Sequence, residues 1–173
     1  MDNFIVLYNP LAGNGTAQDK MRELESLMQG DRLYFSNMLD IRDYGAFFND
    51  MPDGASIIIC GGDGTLNEII QGCMTSGQML PIGYIPTGST NDFARGLGIP
   101  KHMNEAVLGI IHGHPFSCDI GKFNQKYFTY VAAFGAFTDI AYETPQQFKN
   151  VLGHAAYLLN GIAKLSKIRA CRM

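Results

Sequence analysis

Residues 57–73 read Ile-Ile-Ile-Cys-Gly-Gly-Asp-Gly-Thr-Leu-Asn-Glu-Ile-Ile-Gln-Gly-Cys. The β-branched run Ile57 to Cys60 is a strong strand signal. After it come Gly61, Gly62, Asp63 and Gly64, and then Leu66, Ile69, Ile70 and Cys73 at i, i+3, i+4, i+7, the stripe of an amphipathic helix. A strand, a glycine loop and a helix therefore follow one another within these seventeen residues. The same rhythm extends outward in both directions. Phe4 to Tyr8 (FIVLY) is a further strand candidate, apolar throughout as buried parallel strands are, and Leu33 to Phe35 and Ile82 to Ile85 (IGYI) are two more. Met21, Leu24, Leu27 and Met28 share one helical face, and Met103, Ala106, Val107, Ile110 and Ile111 share another. The pattern predicts an α/β fold: an open parallel sheet with helices on both faces.

In such sheets ligands bind at the loops beyond the carboxyl ends of the strands. Three loops fall there: 10–16, 61–65 and 86–92. In the middle loop the glycines allow close backbone approach, and a helix beginning at Thr65 adds a dipole that favours anions. A phosphate fits this place, but the Asp63 carboxylate repels it. Mg²⁺ held between the two resolves the conflict. Thr65 and Glu68 also have capping-box spacing, which would commit both to the helix start. The third loop, Pro86-Thr-Gly-Ser-Thr-Asn-Asp-Phe-Ala-Arg95, carries three hydroxyls, an amide and a carboxylate. Taken alone it is a hydrophilic turn with Asn91 or Asp92 as N-cap. The first loop, Asn9-Pro-Leu-Ala-Gly13-Asn-Gly15, is neither a dinucleotide fingerprint, since Gln18 stands where a third glycine belongs, nor a Walker loop.

After His114 the rhythm changes. Phe116 to Ile120 and Tyr127 to Phe137 read as an antiparallel pair turning at Gly121 to Gln125, and Val151 to Ile168 reads as a helix. A domain boundary is expected near Gly113. The second part looks like the start of an incomplete β-rich domain.

Composition narrows the class. Of 173 residues, 46% are apolar and only 17% charged, so a core can be buried and some surface is expected to be covered by a partner or further chain. A net charge of −3 gives no basic field, which argues against a nucleic-acid partner. The four cysteines form no Cys-x-x-Cys pair and there are four His, so neither a structural zinc nor a disulfide framework is expected. Met1-Asp2-Asn3 lacks the basic start of a signal peptide, and the longest apolar stretch, Ala155 to Ala163, is too short to span a bilayer. A reducing cytoplasmic compartment is the simplest expectation.

The three motifs NPLAGNG, GGDGTLNE and PTGSTNDFARGLGIP, in that order, resemble the diacylglycerol kinase catalytic domain family, which includes soluble bacterial lipid kinases and the sphingosine and ceramide kinases. The resemblance runs from Phe4 to about Glu143, with Asp119-x-Gly121 and Phe134-Gly135 as later matches. GGDG alone is shared with NAD kinases and phosphofructokinases; joined to Gly88-Ser89-x-Asn91-Asp92-Phe93-Ala94 it is far more specific.

The resemblance implies a Rossmann-like nucleotide-binding domain (residues 1–113) and the start of a lipid-kinase β-sandwich domain (114–173), with the active site between them. It implies ATP and Mg²⁺ as cofactors. The nucleotide contacts it carries over are Asn9, Pro10, Leu11, Ala12 and Gly13, then Gly62, Asp63, Gly64, Thr65, Leu66, Asn67 and Glu68, then Gly88, Ser89, Asn91 and Asp92. Asp63 would be the catalytic acid that organises the phosphates with the metal. Position 89 is usually Thr in the family; Ser keeps the hydroxyl. The general base of the soluble bacterial members lies in a segment beyond residue 173, so this chain alone is expected to be inactive. The implied reaction is γ-phosphoryl transfer from ATP to a lipid hydroxyl, with diacylglycerol as acceptor, at a membrane surface. Phe93, Phe134 and Phe137 are read as core. Unpaired strand edges in the second part predict a homo-oligomer. Two alternatives stand beside this reading: an NAD kinase-like enzyme and a non-catalytic nucleotide-binding regulatory module.

Overall fold

The computed structural model describes residues 3–12, 17–52 and 54–131. Its contacts divide the chain into two units, Met1–Tyr130 and Val131–Met173. The first unit is built on four parallel strands: β1 (Asn3–Tyr8), β2 (Arg32–Asn37), β3 (Ser56–Gly61) and β4 (Ile82–Pro86), in the order β2-β1-β3-β4. Between them run α1 (Ala17–Leu27), a 3₁₀ turn (Met38–Asp40), α2 (Tyr44–Asn49) and α3 (Asp63–Ser76). After β4 come α4 (Asp92–Gly96) and α5 (Met103–His112), and then an antiparallel hairpin of β5 (Gly121–Phe123) and β6 (Lys126–Phe128).

The alternation of β3 builds the core on both sides. Ile58 and Cys60 pack on one face with Val6, Leu24 and Val107; Ile57 and Ile59 pack on the other with Leu7, Phe48, Leu66 and Ile69. Each fully buried Ile contributes about 1.5–3 kcal/mol. The expected stripes hold with two corrections. Leu27 is 37% and Ile111 39% exposed, because each lies one position off the face that meets the sheet.

Two elements carried no periodic signal because they are too short for one. The 3₁₀ turn is started by Asn37, whose side chain accepts the Leu39 N–H at 3.0 Å. Asp43 caps α2 by accepting the Ala46 N–H at 3.1 Å. Tyr44 of α2 lies directly on Gly72 of α3, where any side chain would collide with its Cβ.

The antiparallel pair after His114 is present but shifted. Phe116 to Ile120 forms no strand, and Gly121 lies in a strand rather than in the turn. The turn is the two residues Asn124-Gln125, with Asn124 at φ 54. Residues 114–130, assigned by sequence to the second domain, belong by contact to the first unit. The expected Val151 to Ile168 helix, with Phe134 and Phe137, lies outside the described residues.

Candidate functional site

All three predicted loops leave the carboxyl edge of the parallel sheet. β1 and β3 are neighbours, while the chain runs from β1 out to β2 on one side and from β3 out to β4 on the other. The crevice of such a sheet opens at this reversal, so Asn9 and the Gly61–Thr65 loop sit at the ligand-binding position of the fold. Asn9 is pinned there. Its backbone N–H reaches the Cys60 carbonyl at 3.3 Å, its side-chain amide donates to Thr65 Oγ1 at 3.3 Å, and its Oδ1 accepts the Leu11 N–H at 2.9 Å. Ala12 is buried, Leu11 exposed, and Gly13 lies outside the described residues.

The central helix starts two residues earlier than expected, at Asp63 with Gly62 as N-cap, and has no side-chain cap. The expected capping box is therefore absent. Thr65 is already inside the first turn, buried against Gly61 and Asn9. Glu68 is exposed, and the Tyr44 hydroxyl donates to the Met38 carbonyl at 3.4 Å; burial first, and then the Glu68 carboxylate, push the Tyr44 pKa upward. With no side chain on them, the N–H groups of the first turn of α3 remain open as anion donors. Gly64 stands among them, exposed, with nothing within 4 Å of the place a Cβ would occupy.

Asp63 has a partner that the sequence did not disclose. Its carboxylate accepts the Asp92 N–H at 3.0 Å through one oxygen and the Phe93 N–H at 3.0 Å through the other. Asp63 is thus the N-terminal cap of α4. The N-cap expected from Asn91 or Asp92 is not made by either side chain. Asn91 instead folds back on Gly88, accepting its N–H at 2.9 Å and donating to its carbonyl at 2.8 Å, and takes the left-handed conformation at φ 53 to do so. Asp92 pairs with Arg95. Gly62 and Gly88 lie against each other, so a side chain on either would press on the other loop. Thr87 N–H and the Tyr84 hydroxyl both donate to the Gly61 carbonyl, at 2.8 and 3.2 Å. Burial, and then the nearby Asp63 charge, raise the Tyr84 pKa. Phe93 packs with Tyr84 in the core.

The structure therefore brings Asn9, Gly62, Asp63, Thr65, Gly88, Asn91 and Asp92 into one bonded group, with Gly64 and Ser89 exposed beside it. Leu66 is core, not ligand surface. Asn67 points its amide oxygen at the Thr129 N–H, 3.1 Å away. Among the described residues no three His, Cys, Asp or Glu side chains gather as a metal cage. That suits magnesium carried on phosphates, which needs only one or two carboxylates from the protein. No helix of the described residues is long and apolar enough to cross a membrane.

Comparisons with known proteins agree with this architecture. Residues 3–123 match the diacylglycerol kinase catalytic domain. The diacylglycerol kinase of Staphylococcus saprophyticus is 34% identical over 169 residues, covering 95% of this chain and 55% of that protein. That of Staphylococcus aureus (strain JH9) is 42% identical over 114 residues, covering 66% of this chain and 36% of that protein. A crystal structure of a diacylglycerol kinase from Bacillus anthracis superposes with a TM-score of 0.60 at 26% identity, covering 73% of this chain and 45% of that one. The chain spans about half the length of the curated relatives it matches. With the family match extending over most of its length and the parallel sheet shared, the chain belongs to the diacylglycerol kinase catalytic domain family.

Proposed function

We propose that this chain supplies the ATP-binding half of a lipid kinase that moves the γ-phosphoryl group of ATP to a lipid hydroxyl, with diacylglycerol as acceptor. The observation that carries the reading is the first turn of α3, uncapped by any side chain, with the open position of Gly64 beside it, at the reversal point of the sheet. Backbone N–H groups there would hold the phosphates, with Asn9 and Ser89 at either side. Asp63 would keep the third loop seated while offering its remaining lone pairs toward a nucleotide-borne Mg²⁺. That ion would neutralise charge as the bond from γ-phosphorus to the bridging oxygen breaks and the bond to the lipid oxygen forms.

The acceptor hydroxyl must lose a proton in this step. The two acids of the loops are both engaged, Asp63 with two N–H groups and Asp92 with Arg95. The general base is therefore assigned to residues outside these loops. A lipid acceptor brings the enzyme to a membrane surface from a cytoplasmic pool.

The test is titration of the chain with ATP in magnesium chloride, followed by assay of labelled γ-phosphoryl transfer to diacylglycerol in mixed micelles and, separately, to NAD. Binding with lipid labelling supports the reading. Labelling of NAD would favour the NAD kinase alternative, whereas binding with no transfer to either agrees with an ATP-binding half whose general base lies outside these loops. No binding up to about 1 mM ATP, the upper end of ordinary substrate affinities, would overturn the nucleotide site itself.

A further inference from the structure

The outer edge of β6 is covered, not open. Tyr127 lies in β6 and Thr129 one residue past its end, two residues apart, so both N–H groups face the side of the hairpin away from β5. Neither meets another strand. The Tyr127 N–H donates to Gln71 Oε1 at 2.6 Å and the Thr129 N–H to Asn67 Oδ1 at 3.1 Å. The two acceptors are four apart on α3. Side chains at that spacing stand roughly 5–6 Å apart, close to the about 6.6 Å that separates alternate residues of a strand. One helix face therefore serves as a substitute strand edge. Gln71 is itself braced, since its Nε2 donates to Thr75 Oγ1 at 3.0 Å and the Thr75 hydroxyl donates to the Gln71 carbonyl at 2.7 Å.

We propose that Asn67 and Gln71 are positioning residues: a two-point latch that couples nucleotide occupancy at the start of α3 to the β5–β6 hairpin. The inference rests on the nucleotide-site reading above. Asn67 stands one turn beyond Gly64, so whatever orders the first turn of α3 also orders the upper half of the latch. The hairpin is the last regular element before Tyr130, where the first unit ends. A phosphate bound at the start of α3 thereby tightens the hairpin through the latch.

Amide hydrogen exchange at Tyr127 and Thr129 tests this, with and without ATP and magnesium chloride, in the full chain, in Gln71→Ala and in Gln71→Glu. Isothermal titration with ATP is run on each protein in parallel. In the wild type, ATP should slow exchange at both amides by about fivefold or more, the low end of ordinary site-to-site coupling. Gln71→Ala should bind ATP within about twofold of wild type yet lose the slowing at Tyr127. Gln71→Glu keeps the acceptor oxygen and should restore it. A helix that merely supported the hairpin would show protection that does not change with ATP. ATP binding without any change of exchange in the wild type overturns the latch and leaves the nucleotide site standing. Equal slowing in wild type and Gln71→Ala overturns it as well. Absence of ATP binding removes the nucleotide reading and the latch together. Should Gln71→Ala fail to fold, the wild-type and Gln71→Glu arms still decide.

Discussion

Gly88 lies so close to Gly62 that a Cβ placed on Gly88 would stand 2.5 Å from the Gly62 Cα, and 2.8 Å from Asn91 Oδ1. The loops after β3 and β4 touch backbone to backbone here. Their glycines answer one another, and the clamp of Asn91 on Gly88 holds the contact shut.

The contact is unequal in the two directions, and that yields a test. A Cβ on Gly62 would sit 3.1 Å from the Gly88 Cα, a tight fit that a small loop shift could relieve. Gly88→Ala should therefore cost more stability than Gly62→Ala, on the order of 1–3 kcal/mol as for other overpacked sites. Urea unfolding followed by circular dichroism measures both. Equal midpoints for the two variants and the wild type would mean that the loops are not in contact.

Gly64 behaves oppositely. A methyl group there meets nothing, and helix positions favour Ala over Gly by roughly 0.5–1 kcal/mol. Gly64→Ala should leave the unfolding midpoint unchanged or slightly higher while weakening ATP binding by about tenfold, or about 1.4 kcal/mol. Wild-type ATP affinity in this variant would place the phosphates elsewhere.

Asp63 joins the two loops through its carboxylate. Asp63→Ala leaves the Asp92 and Phe93 N–H groups without acceptors, and loss of a helix cap costs about 1 kcal/mol and at most about 2. Asp63→Asn retains one acceptor oxygen and should fall between. Faster amide exchange at Asp92 and Phe93 should accompany the loss. If Asp63→Ala abolishes ATP binding while both amides stay protected, the residue acts on the ligand and the cap is incidental.

Alkaline pH should unfold the protein early. Burial pushes the thiols of Cys60 and Cys73 up from the ordinary 9.0 to about 12. Tyr44 and Tyr84 are raised for the same reason. An acid whose folded-state pKa is raised favours the folded chain while neutral, so its contribution is intact below pH 9 and is lost as pH climbs from 9 toward 12. Urea midpoints at neutral pH, at pH 9 and near pH 11 should fall only in the last step. At neutral pH a thiol reagent should label exposed Cys118 well before buried Cys60 and Cys73. A midpoint that is flat across the series would mean the two thiols are not sealed.

What the sequence determined by itself is whatever depends on local periodicity. The apolar runs at Phe4 to Tyr8, Ile57 to Cys60 and Ile82 to Ile85 specify strands with no solvent face, and the Leu66–Ile69–Cys73 stripe specifies the helix behind the central loop. Strand-loop-helix order then requires the three glycine-bearing loops to gather on one sheet edge. The short α2 and the exact hairpin turn escaped, because six residues and a two-residue turn carry too little pattern. Only the tertiary structure decided what each polar group in the site is bonded to. Asp63 finds its donors 29 and 30 residues away, Asn67 finds its own 62 residues away, and Tyr44 meets Gly72 across two helices. A lone acid among glycines reads as a metal ligand from composition alone; folded, the same acid is also a helix cap. The physical reason is that hydrophobic burial is non-directional and can be read one segment at a time, whereas a hydrogen bond exists only once folding has set both partners within about 3 Å in the right direction.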